Sequence, residues 1–75
     1  MDEQYFLALY IRQAHIMIPR LERIMPDSSC AHRATGLRRT LMRLTLESPP
    51  NLQRLQEVVH QGYDVLEEAA REKAR

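Results

Sequence analysis

The sequence predicts an all-α fold: a small antiparallel three-helix bundle, with the first helix central and kinked near Pro19. Three observations carry this. Apolar residues recur at steps of three and four in three separate stretches, the spacing of one helix face. Two short proline-containing segments, Met25-Pro26-Asp27-Ser28-Ser29 and Ser48-Pro49-Pro50-Asn51, divide those stretches. No stretch alternates apolar and polar residues as a strand would. Short connections between three helices imply antiparallel neighbours in a single domain spanning residues 1–75.

The first helix is expected at about residues 3–25. Asp2 and Glu3 suit a first turn, where carboxylates meet the positive end of the helix dipole. Leu7, Ile11, Ala14, Ile18, Leu21 and Met25 form its main seam. Phe6, Tyr10, Met17 and Ile24 widen it on one side, and Tyr5, Leu9 and Ile16 on the other. A helix apolar on three sides belongs inside an assembly. Pro19 removes the bond to the His15 carbonyl. The seam keeps its phase beyond it, so the expectation is a kink and continuation to Met25.

Asp27 or Ser28 is the expected N-cap of a second helix, at about residues 28–46. Its seam is narrow: Cys30, Ala34, Leu37, Leu41 and Leu44. The third helix is expected at about residues 49–73, with Ser48 as cap and Pro49 in the first helical position. Its seam is Leu52, Leu55, Val59, Gly62, Leu66 and Ala69, flanked by Val58, Tyr63, Val65 and Ala70. Glu67 and Arg71 stand four apart as a favourable pair. Arg71, Lys73 and Arg75 suit the negative end of the dipole.

Composition narrows the function. The chain has 75 residues and 44% hydrophobic residues, enough for one core. A domain of this size buries only about 60% of the surface its unfolded chain exposes and gains from added support. One cysteine excludes an internal disulfide. His15, His32 and His60 have no companions at metal-ligand spacing, so neither a metal nor another cofactor is expected. Association with another chain is the support that remains. The net charge of +1 gives no strong overall field for nucleic acid or membrane. The longest apolar run, Tyr5 to Ile11, falls far short of the ~20 residues that span a bilayer. Met1 is followed by Asp2 and Glu3 rather than a basic leader. A reduced, cytoplasmic setting is the expectation.

No Ser/His/Asp set, phosphate-binding glycine loop or metal motif is present, so no catalytic residue is assigned. Glu57, Asp64, Glu67 and Glu68 fall mostly on the outward arc of the third helix as solvated carboxylates. Cys30 combines an apolar seam position with nearness to a helix N-terminus, which lowers a thiol pKa. The commoner role of such a residue is a small buried hydrophobe.

Two surfaces stand out. Two narrow-seamed helices cover two sides of the first helix, which leaves Tyr5, Leu9 and Ile16 for a protein partner or a second copy. Tyr5, Tyr10 and Tyr63 have the amphipathic character of interface residues. The second helix carries Arg33, Arg38, Arg39 and Arg43 on its outer faces, with no acid before Glu47, which suits an anionic partner. The leading expectation is a non-catalytic interaction module: an adaptor, inhibitor or chaperone of a partner protein. The alternative is a nucleic-acid-binding regulator.

Two family resemblances bear on these readings. Thr35, Gly36, Leu37 and Arg43 resemble a helix-turn-helix, with Gly36 in the turn and Leu37 to Leu46 as recognition helix; that resemblance implies DNA binding. His32 stands where that family places a small residue. The phase of the seam from Cys30 to Leu44 instead makes Gly36 helical. Leu7-Ala8-Leu9-Tyr10-Ile11-Arg12, the Arg38-Arg39 pair, and Gly62 with Leu66 look like fragments of the LYR family. Those are three-helix adaptors that bind acyl carrier protein and stabilise partner subunits in mitochondria. Here Ile11 separates Tyr10 from Arg12, no phenylalanine follows the basic pair, and Pro19 interrupts the first helix.

Overall fold

The computed structural model describes residues 2–74, so Arg75 lies outside the described residues. It contains three helices: α1 (Glu3–Glu22), α2 (Ala31–Leu46) and α3 (Leu52–Lys73). Each packs against both others, which makes a three-helix bundle. There is no strand among the described residues, and no helix is long and apolar enough to cross a membrane.

Helix α1 opens as its first residues require. Asp2 is extended, and its side chain accepts the Tyr5 N–H at 3.0 Å, which satisfies one of the orphan donors of the first turn. The helix runs unbroken through Pro19. Both Pro19 and His15 are exposed, so the missing bond lies on the outer side of the helix and not at the core.

The expected continuation of α1 to Met25 does not occur. The helix ends at Glu22, with the Arg23 N–H donating to the Arg20 carbonyl and the Ile24 N–H to that of Leu21, both at 3.3 Å. These three-residue spacings tighten the last turn. Pro26 disfavours helical geometry at Met25. Ile24 turns in against the core, whereas Met25 is left 57% exposed.

The start of α2 also moves, from Ser28 to Ala31. Residues 25–31 form two successive turns instead, closed by Ser28 N–H to the Met25 carbonyl (3.0 Å) and Ala31 N–H to the Ser28 carbonyl (3.1 Å). Pro26 pre-sets φ for the first turn. Neither Asp27 nor Ser28 is the N-cap. Cys30 occupies that place without a side-chain capping bond, and the Ser28 hydroxyl accepts the Cys30 N–H at 3.1 Å. The start of α3 shifts from Pro49 to Leu52. Pro50 biases Pro49 away from the helical region. Asn51 is the cap in place of Ser48, its side chain accepting the Arg54 N–H at 3.0 Å.

The core is wholly apolar. Ala14, Met17 and Leu21 come from α1, Cys30 from the N-cap, Ala34, Leu41 and Leu44 from α2, and Leu55, Val58, Val59 and Val65 from α3. Gly62 is buried among them. A Cβ built on Gly62 would overlap the Met17 sulfur and stand 3.2 Å from its Cε. The missing side chain of α3 is therefore the space that Met17 fills. Gly36 differs: it is exposed in the middle of α2, nothing lies within 4 Å of its notional Cβ, and its φ is not positive.

The two glycines should answer the same substitution with opposite signs. Gly36→Ala should stabilise by up to about 1 kcal/mol through helix propensity. Gly62→Ala should destabilise by about 1–3 kcal/mol through overpacking. In a denaturant series, Gly62→Ala combined with Met17→Ala should cost less than the sum of the two single changes. Strict additivity would mean that Met17 does not fill the Gly62 notch.

Candidate functional site

The phase of α1 follows from its buried positions. Leu7, Tyr10, Ile11 and Ile18 are partly buried beside Ala14, Met17 and Leu21. The opposite flank is left out: Tyr5 is 60% exposed, Leu9 38% and Ile16 49%. At spacings of four and seven these three share one side of the helix. Phe6 is exposed next to them and meets Tyr5 edge-on, with ring centroids 5.5 Å apart. From α3, the Tyr63 hydroxyl donates to the Gln13 side-chain Oε1 at 3.3 Å. Gln13 lies one turn from both Leu9 and Ile16, so the exposed Tyr63 ring extends the strip sideways. Tyr10 is on the inner side, where its hydroxyl accepts from Gln56 Nε2 at 3.3 Å and its ring meets His60.

The four arginines of α2 are not gathered into one patch. Arg33 reaches α3 and pairs with Glu68 at 2.6 Å. Arg38 turns the other way, to Glu22 of α1 at 3.5 Å, and touches the Met42 sulfur. Arg39 and Arg43 are exposed with no acid within 4.0 Å among the described residues. His32, seven residues before Arg39, shares their outward stripe. The sequence spacing missed the two pairings because Glu22 and Glu68 come from other helices. The Glu67–Arg71 pair within α3 forms as expected, at 3.6 Å.

A second polar cluster was not legible in the sequence. Near the C-terminal end of α3, Glu72 reaches the 25–31 connection. Its carboxylate accepts the Ser29 hydroxyl at 2.6 Å, the Ser28 hydroxyl at 3.2 Å, the Ser29 N–H at 3.3 Å and the Cys30 thiol at 3.3 Å. These bonds, led by those from Ser29, hold Glu72 below its ordinary pKa. Of the two readings of Cys30, the structure bears out the small buried residue and not the activated thiol. Burial, then the bond to Glu72, push its pKa up. It is a buried hydrogen-bond donor, and the lowering effect of the Ser28 and Ser29 hydroxyls is outweighed. No group of three His, Cys, Asp or Glu among the described residues is placed to hold a metal.

An open groove of about 380 Å³ lies between the end of α1, the first connection and the end of α3. Arg20 and Arg23 stand on its rim, both exposed and without an acid within 4.0 Å among the described residues. No protein-family model, curated protein or solved structure matches the chain.

The Glu72 cluster predicts a pH dependence. A carboxylate whose folded pKa is depressed adds stability that is complete above its unfolded value, near 4.5, and is lost as pH falls through the folded value. Wild type should therefore be more stable than Glu72→Gln at about pH 7, and the gap should close towards about pH 3. Chemical denaturation at both pH values measures this. An equal gap at both would show that the charge on Glu72 contributes nothing.

Proposed function

We propose that this chain is a non-catalytic protein–protein interaction module of the cytoplasm, in the manner of an adaptor, inhibitor or chaperone, acting through the outer face of α1. The single observation that carries this is the exposed apolar strip of Tyr5, Phe6, Leu9 and Ile16, extended by Tyr63. Scattered apolar side chains are ordinary on a protein surface, but several gathered along one side of a helix, here on either side of Arg12, mark a contact surface. Tyrosine and phenylalanine suit that use, since a rigid ring supplies area at little cost in side-chain entropy. The LYR-like fragments support a narrower form of the same reading, with acyl carrier protein as partner.

The outward stripe of His32, Arg39 and Arg43 favours a second reading, an anionic partner such as a nucleic-acid backbone. The helix-turn-helix version lacks its turn, since Gly36 lies within one continuous helix. Contact by this stripe would be with phosphates, and sequence would be read weakly.

Two measurements separate the readings. A hydrophobic dye should brighten on the folded wild-type protein and much less on Leu9→Arg/Ile16→Arg, with helical content unchanged. A folded, monomeric wild type that leaves the dye dark would remove the interaction reading. For the second reading, a DNA fragment should be retarded at low salt and released as salt rises. Arg39→Ala/Arg43→Ala should abolish that retardation while changing stability by no more than about 0.5 kcal/mol. Retardation that survives the double change would clear the stripe of that role.

A further inference from the structure

The strip on α1 ends in opposite charges. Asp2 lies at its N-terminal end, and Arg20 and Arg23 at its C-terminal end, all exposed. Asp2, Tyr5, Leu9, Arg12, Ile16 and Arg23 follow helical spacing along one side, with Arg20 one turn beyond Ile16. Among the described residues, Asp2, Arg12, Arg20 and Arg23 have no opposite charge within 4.0 Å. The face is therefore apolar at Tyr5, Leu9 and Ile16, interrupted by Arg12 at its middle, and bounded by charges that have no ion-pair partner among the described residues.

Such a face is complementary to itself turned end for end. With the twofold axis passing between residues 12 and 13, Leu9 lies against Ile16 of the second copy. Tyr5 then lies against Arg20 of the second copy, where a guanidinium can stack on the ring. Asp2 meets Arg23 of the second copy. Each contact occurs twice, as a twofold interface requires. A parallel pairing would set Asp2 against Asp2 and the arginines against each other, so charge selects the antiparallel arrangement. Arg12 is the exception: it sits beside its own symmetry mate at the axis.

We infer that the outer face of α1 pairs with the same face of a second copy, antiparallel and centred between Arg12 and Gln13. This rests on reading the strip as an interaction surface and adds its occupant. One helix face is a small interface, so association belongs in the micromolar range.

The test combines sedimentation over roughly 10–500 µM with oxidative cross-linking of single-cysteine additions, wild type serving as the control for buried Cys30. Wild type should dimerise. Arg12→Cys should cross-link to itself. Tyr5→Cys should not, because the two Tyr5 positions lie about 22 Å apart along the axis at 1.5 Å per residue. Arg12→Ala should tighten the dimer, and Leu9→Arg should weaken it at least about tenfold with helical content unchanged. Should Leu9→Arg unfold, the cross-linking pattern decides. Self-linking of Tyr5→Cys, with or without self-linking of Arg12→Cys, overturns the antiparallel pairing. A wild-type monomer that still brightens the dye overturns the second copy as occupant and leaves the interaction surface standing. A monomer that leaves the dye dark overturns both.

Discussion

The contact of Met17 with Gly62 sets the phase of the whole bundle. An unbranched thioether fills the place of an absent side chain, so α1 lies close on α3 at that level. Once Met17 points inward, helical geometry leaves little freedom for its neighbours. Ala14 and Leu21, one turn to either side, must also face the core, and they do. Ile16, one residue back, is carried outward, and Leu9 and Tyr5 go with it. The exposed strip is thus the geometric consequence of an internal contact, not a failure of packing.

The ends of the helices are held by polar groups rather than by more core. Asp2 and Asn51 close the starts of α1 and α3. The start of α2 has no such cap. The carboxylate of Glu72, far along the chain, takes over the serine hydroxyls and the Ser29 N–H around it. That arrangement ties the first connection to the last turns of α3. It also settles the character of Cys30, which gives its proton to a carboxylate bond in a dry place and is thereby kept as a thiol. Nearness to a helix start is outweighed there by burial and by a neighbouring negative charge.

The arginines show how charge in one helix is answered from others. Along the sequence, α2 carries four unopposed cations. In the bundle, Arg33 and Arg38 flank the helix on opposite sides and each meets a carboxylate of its neighbour. Both pairs are solvent-exposed to a degree that limits each to a small contribution. They leave Arg39 and Arg43 as the cations of α2 with no acid within 4.0 Å among the described residues.

Helical periodicity by itself determined the three helices and the outward flank of Tyr5, Leu9 and Ile16, because a period of three to four residues is a local property of the chain. The inward seams it placed only roughly, since Met17, Val58 and Val65 fall on the flanks of those seams and are fully buried. It also made Gly36 helical, since the seam of α2 runs through it in phase. The ends were decided otherwise. Met25 continues the apolar pattern of α1 yet leaves the helix, because Pro26 acts on the residue before it and Ile24 finds the core instead. Pro50 acts on Pro49 in the same way and hands the cap to Asn51. Only the tertiary structure could place Glu22 beside Arg38, Glu68 beside Arg33 and Glu72 beside Ser29. Those partners are remote in sequence, and no periodicity within one helix encodes which residue of another will face it.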